Sequence, residues 1–173
     1  MTDVATGDLL SSELRPCDDT QQQPAVPKEP PVQITHIDHV GIAVADLDAA
    51  IELYEKSFGM RCVHTEVNEE QGVREAMLAV GDSGSYIQLL APLSPDTTIG
   101  RFLDKNGPGI QQMAYRVDSI DEVSDHLRSQ GMRLLYDEPK SGTAGSRVNF
   151  IHPKSAGGVL VELVEPGPGG MGH

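Results

Sequence analysis

Four polar residues stand at related positions in otherwise apolar segments: His39, Gln88, Gln112 and Glu162. His39 and Gln112 hold the same place in two similar stretches, Ile37-Asp38-His39-Val40-Gly41-Ile42-Ala43-Val44 and Ile110-Gln111-Gln112-Met113-Ala114-Tyr115-Arg116-Val117. Gln88 and Glu162 hold matching centres of Ile87-Gln88-Leu89-Leu90-Ala91-Pro92 and Val161-Glu162-Leu163-Val164-Glu165-Pro166. One imidazole, one carboxylate and two amide oxygens make a mixed N/O donor set, which suits a divalent transition metal. The other reading is that each is a strand polar group satisfied by hydrogen bonds within the fold.

The matched stretches recur in the same order at nearly one offset, which is the signature of a duplicated module. In the first, Val40, Ile42 and Val44 alternate onto one strand face, leaving Ile37, His39, Gly41 and Ala43 on the other. In the second, Met113, Tyr115 and Val117 face one way, and Ile110, Gln112, Ala114 and Arg116 the other. A helix follows each opening strand. Asp46 or Ser119 serves as N-cap, and Gly59 or Gly131 as the stop. Leu47, Ala50, Ile51, Tyr54 and Phe58 recur at helical spacing, as do Ile120, Val123 and Leu127. Three strands then complete each module: about 60–66, 73–80 and 86–91, and about 132–137, 147–151 and 159–165. The expected fold is α+β, with two tandem βαβββ modules (34–92 and 110–166) forming a curved sheet around a metal cleft. The joining segment, 93–109, is expected to hold a short helix at 97–105.

Of 173 residues, 38% are hydrophobic and 23% charged, an ordinary balance for one globular domain. Residues 1–33 carry Pro16, Pro24, Pro27, Pro30 and Pro31 and none of the four Tyr or three Phe. They read as a disordered tail, and the Gly-rich 167–173 as a flexible end. No apolar run reaches the roughly 20 residues that span a bilayer, and the N-terminus lacks the basic and apolar regions of a secretory signal. The expectation is a cytoplasmic protein with no membrane partner. Cys17 and Cys62 are too few for a disulfide framework or a thiolate metal site. A net charge of −13 disfavours nucleic acid as a partner.

The opening strand, Ile37 to Val44, resembles that of the vicinal oxygen chelate (glyoxalase) superfamily. More narrowly, Glu66-Val67-Asn68-Glu69-Glu70-Gln71-Gly72-Val73-Arg74-Glu75, Phe102-Leu103-Asp104-Lys105-Asn106-Gly107, Leu135-Tyr136-Asp137-Glu138-Pro139-Lys140 and Asn149-Phe150-Ile151-His152-Pro153-Lys154 resemble the methylmalonyl-CoA epimerases. The resemblance spans about 34–166. It implies an isomerase, a divalent metal (usually cobalt), a homodimer, and interconversion of (2R)- and (2S)-methylmalonyl-CoA through a metal-stabilised enolate. By position, His39, Gln88 and Glu162 match the family's metal ligands. Gln112 falls where most members have the second of two adjacent histidines; this chain reads Gln111-Gln112 there. Glu75 and Glu162 match the two acid/base glutamates. Inverting C2 needs a proton removed from one face and one returned to the other, hence two bases. Read without the resemblance, Glu75 is a solvated strand carboxylate.

Arg101, Lys105, Arg147 and Lys154 are candidate cations for the CoA phosphates, while His36, His64, His126 and His173 are expected to be solvated and His152 to brace its turn. Two other readings use the same fold. A lactoylglutathione lyase or extradiol dioxygenase would share the cleft, but the latter wants two histidines and a carboxylate on iron, and one histidine occupies the four positions. A small-molecule-sequestering protein would need no paired bases.

Overall fold

Alternating apolar residues drive the chain into strands, and the capped, period-3.6 segments between them form helices that pack on the sheet. The computed structural model describes residues 32–169. In chain order the elements are β1 (Ile34–Ala43), α1 (Leu47–Phe58), β2 (Arg61–Asn68), β3 (Val73–Ala79), β4 (Tyr86–Pro92), α2 (Thr98–Asn106), β5 (Gly109–Val117), α3 (Ile120–Ser129), β6 (Lys140–Ser141), β7 (Arg147–Ile151) and β8 (Val161–Glu165). The α+β class is as the sequence implies. Of the tails expected at 1–33 and 167–173, residues 1–31 and 170–173 lie outside the described part.

All eight strands form one curved sheet in the order β2-β3-β4-β1-β5-β8-β7-β6. β1 pairs β4 in parallel and β5 pairs β8 in parallel, while β1 and β5 meet antiparallel at the centre. The two repeats are thus joined through their opening strands, and anything at equivalent positions is brought to one seam.

Asp46 Oδ1 accepts the Ala49 N–H at 3.0 Å to start α1, and Gly59, at φ 66°, ends it in the left-handed conformation glycine tolerates. Leu47, Ala50, Ile51 and Tyr54 pack on Ile42, Val44, Ala76, Leu78 and Leu89. Ser119 caps α3, whose Ile120, Val123 and Leu127 pack on Tyr115, Val117, Ile151, Val161 and Leu163. Both helices lie on the face named by the alternation. α2 is shorter and closes a third cluster, with Ile99, Phe102 and Leu103 against Ala43, Val73 and Leu90.

One expected strand does not form. At 132–137 only Leu134 makes an isolated bridge, to Ile151, and pairing resumes as the two-residue β6. The cause is Asn149, fully buried on β7. Its Oδ1 accepts the Tyr136 N–H at 3.3 Å and its Nδ2 donates to the Tyr136 carbonyl at 3.0 Å. A side chain thus satisfies backbone groups that a ladder would have paired. Asn149→Leu takes the partner from the Tyr136 N–H, whereas the Tyr136 carbonyl keeps the Arg128 guanidinium at 3.0 Å, so the cost is roughly 1–3 kcal/mol. The urea midpoint should fall accordingly; an unchanged midpoint would mean that solvent reaches Tyr136.

Candidate active site

The face opposite α1 and α3 carries the four repeat-related polar residues. Strand register explains how. Gln88, Gly41 and Gln112 form one row across β4, β1 and β5; His39, Ala114 and Glu162 form the next across β1, β5 and β8. The small residues Gly41 and Ala114 leave room for the large side chains beside them. At Gly41 the space is tight, since a Cβ would lie 2.6 Å from Gln112 Cγ.

The four converge and are buried. His39 Nε2 stands 3.1 Å from Glu162 Oε2, to which Gln112 Nε2 also donates. Gln112 Nε2 lies 3.3 Å from Gln88 Oε1. Gln88 Nε2 donates at 2.9 Å to Glu75 Oε2 and at 2.9 Å to Thr143 Oγ1, and Thr143 Oγ1 donates to Glu75 Oε1 at 2.9 Å. Glu75 is 2% exposed, so it is not a solvated carboxylate. Next to these residues is a cavity of about 330 Å³, lined by Gln88, Gln112, Thr143 and Glu162 on its polar side and by Leu135, Tyr136 and Phe150 among its apolar walls. Glu75 lies one layer behind Gln88 and Thr143. His39 opens onto a smaller adjoining recess with Asp38, Arg116 and Glu162.

Two electrostatic features stand out. Burial pushes the Glu75 carboxyl up to about 7, helped by the neighbouring charges of Glu66 and Glu162 and opposed by the Thr143 hydrogen bond. For His39, burial acts to lower the imidazole, yet hydrogen bonds to Asp38 and Glu162 outweigh it and raise it to about 9.

Strict alternation puts Asp38 on the helix face with Val40, and sequence reasoning passes it over. An irregularity in the β1–β5 ladder between Ile37 and His39 leaves it the extra residue of a bulge. Its buried carboxylate then reaches His39 Nδ1 at 2.9 Å and the Arg116 guanidinium at 2.7 Å. Burial acts to raise Asp38, but its hydrogen bond to His39, the His39 charge and then the Arg116 guanidinium hold it below the usual carboxylate range. A second omission is Thr143. It sits beside Ala144, a non-glycine residue at φ 53°, in a loop with no strand or helix signal.

The donor set fits a divalent cation. Asp38 occupies Nδ1 of His39, which turns Nε2 inward toward Glu162, the carboxylate–histidine arrangement common behind metal ligands. The Gln88 amide oxygen faces the same point, and a half-turn of the Gln112 amide brings its oxygen there too. Among the described residues no cluster of three or more His, Cys, Asp or Glu could hold a metal, because half of this set is glutamine.

Other expectations fare unevenly. His152 does brace its turn, its Nδ1 accepting the Lys154 N–H at 3.1 Å. His64, expected in solvent, is instead half-buried and 2.6 Å from Glu66 Oε2. Cys62 is a half-buried thiol that packs beside the α1 cluster. Arg101, Lys105, Arg147 and Lys154 are absent from the cavity lining, and Arg147 is tied to Asp121 at 2.9 Å. Lys140 is the cation at the cavity. No helix of the described residues is long and apolar enough to cross a membrane.

The model of the Glyoxalase/Bleomycin resistance protein/Dioxygenase superfamily matches residues 38–150. Methylmalonyl-CoA epimerase from Mycobacterium tuberculosis superposes with a TM-score of 0.77 at 60% identity, over 79% of this chain and 91% of that one. The chain belongs to the methylmalonyl-CoA epimerase family of that superfamily. The Streptomyces coelicolor epimerase in complex with 2-nitronate-propionyl-CoA gives 0.75 at 48% identity, over 77% and 98% of the two chains. The ethylmalonyl-CoA/methylmalonyl-CoA epimerase of Cereibacter sphaeroides is 37% identical over 132 residues, 75% of this chain and 97% of that protein. As a member of this family the chain is an enzyme, an isomerase.

Proposed function

We propose that the chain interconverts (2R)- and (2S)-methylmalonyl-CoA by a two-base exchange at C2. The observation that carries this reading is a pair of buried glutamates linked through Gln88 and Gln112, Glu162 in the cavity wall and Glu75 one layer behind it. Inversion of a carbon acid needs a group on each face that can both take and give a proton at neutral pH. Glu75, pushed up to about 7, is poised to do either. Thr143 and Gln88 each donate to one of its oxygens, so the carboxyl is fixed in orientation. Glu162 serves the other face. Leu135, Tyr136 and Phe150 supply an apolar wall beside the reacting carbon.

His39, Gln88, Gln112 and Glu162 would hold a divalent cation, for which cobalt is our choice. Such an ion supplies Lewis-acid stabilisation of negative charge on the thioester oxygen. The working unit on this reading is a cytoplasmic homodimer, checked by sedimentation.

Proton NMR of (2R)-methylmalonyl-CoA in D2O with cobalt-loaded protein tests the function. The C2 proton should be lost and the (2S) epimer should appear; no turnover with metal present would refute it. The same tube with chelator tests the metal. Gln112→His should tighten cobalt binding, because imidazole is the better donor for that ion. Unchanged affinity by calorimetric titration would mean that Gln112 is not in the shell.

A further inference from the structure

The two-base reading leaves one step without a residue. Each inversion from a given epimer leaves one glutamate protonated and the other ionised, the reverse of the starting state. Before the next turnover in that direction, Glu75 must lose the proton it took from C2, and Glu162 must regain one. Glu75 is 2% exposed, and on its cavity side Gln88 and Thr143 each hold one of its oxygens.

Its other side is different. Glu66 on β2 is its direct cross-strand partner on β3, and side chains at such paired positions lie side by side on one sheet face. The Glu66 charge is near enough to help burial raise the Glu75 carboxyl. Glu66 Oε2 stands 2.6 Å from His64 Nε2, and both side chains reach solvent, at 28% and 32% exposure. The Ala144 N–H donates to the same Glu66 oxygen at 3.2 Å. Ala144 adopts a left-handed backbone there, a conformation that costs a non-glycine residue energy and tends to cluster at functional sites. A buried base, a half-buried carboxylate and a half-exposed imidazole thus stand in line from cavity to water.

We propose that Glu66 and His64 form the route by which Glu75 exchanges its proton with solvent between turnovers. This rests on Glu75 being one of the two bases. The neutral Glu75 carboxyl passes its proton to the Glu66 carboxylate, Glu66 passes one to the His64 imidazole, and the imidazolium releases one to water. Glu66 and His64 end as they began, and Glu75 is an ionised base again. Neither Glu66 nor His64 touches the reacting carbon, so both act through Glu75.

The experiment separates one turnover from many, using cobalt-loaded full-length protein. With enzyme in excess over (2R)-methylmalonyl-CoA, Glu66→Gln and His64→Gln should invert substrate at nearly the wild-type single-turnover rate. Under steady-state conditions kcat should fall by roughly 10²-fold, the lower end of what a positioned proton-transfer group contributes. Free imidazole in the buffer should restore much of the loss in His64→Gln. An unchanged kcat in both variants would overturn the proposal, because the proton then leaves another way. Equal loss in single-turnover and steady-state rates, with no rescue by imidazole, would also overturn it, making the pair a brace for Glu75. Glu75→Gln, measured alongside, isolates the underlying reading. If that variant retains full activity, Glu75 is not a base; if it is inactive while the other two are normal, only the relay fails.

Discussion

Glu75→Gln should lower epimerisation by roughly 10²–10⁴-fold, the range that a positioned acid–base group contributes. The substitution keeps the shape of the side chain and removes its ability to accept a proton. It should also fold. The new amide oxygen can still accept from Gln88 Nε2, and its NH2 can donate to Glu66 or to a Thr143 hydroxyl rotated to accept. Bound cobalt per chain and melting temperature should therefore stay near wild-type values. One epimer should still exchange its C2 proton with D2O through Glu162, with retention of configuration, while the other is nearly inert. Wild-type rates of inversion would remove Glu75 from the mechanism. Loss of cobalt would instead put it in the coordination shell and leave the second base unassigned.

Arg116→Met should be the most damaging single change to stability. It removes the guanidinium from Asp38, whose side chain is 5% exposed and which accepts from Arg116 Nε and Nη2 at 2.7 Å. Breaking a buried pair by deleting one partner costs roughly 3–5 kcal/mol, since the remaining charge is left in a poor solvent. For a domain of this size the melting temperature should drop by roughly 10 °C. Asp38→Asn combined with Arg116→Met should recover part of that loss, because no lone buried charge remains. The double variant should nevertheless bind cobalt roughly 10–100-fold more weakly, as expected when the partner that orients a metal-binding histidine is weakened. A melting temperature within a degree of wild type for Arg116→Met would show that water reaches Asp38.

Much of the fold was legible because its signals are local. Asp46 and Ser119 announce two helix starts, Gly59 announces one stop, and the alternation around Val40–Val44 and Met113–Val117 assigns the sheet faces. The repeat carries the long-range information: His39, Gln88, Gln112 and Glu162 meet because equivalent strands pair across one seam. What stayed hidden depends on contacts that no local pattern encodes. The strand at 132–137 has suitable apolar residues, but the Asn149 amide, distant in sequence, takes over the Tyr136 backbone groups. Asp38 escaped notice because a bulge breaks the two-residue period at the one position where the period decides the matter. Glu75 was legible through family resemblance alone. A carboxylate within Val73–Ala79 reads as a wet strand residue until β2, β4 and the 143–146 loop are folded around it.

The antiparallel meeting of β1 and β5 also bears on how the protein reaches its native state. His39 and Glu162 are 123 positions apart in the chain, and Gln112 and Glu162 are 50 apart. Loop closure of that length must precede any reward from the contact, so topologies of this kind fold slowly compared with helical bundles. Each repeat can gather its own helix and flanking strands early, yet neither repeat owns a complete set of donors. The cleft is therefore among the last features to form, and a ligand that requires all four side chains has no affinity for a half-assembled chain. Such a ligand acts only on the finished protein, slowing its unfolding and leaving its folding rate untouched.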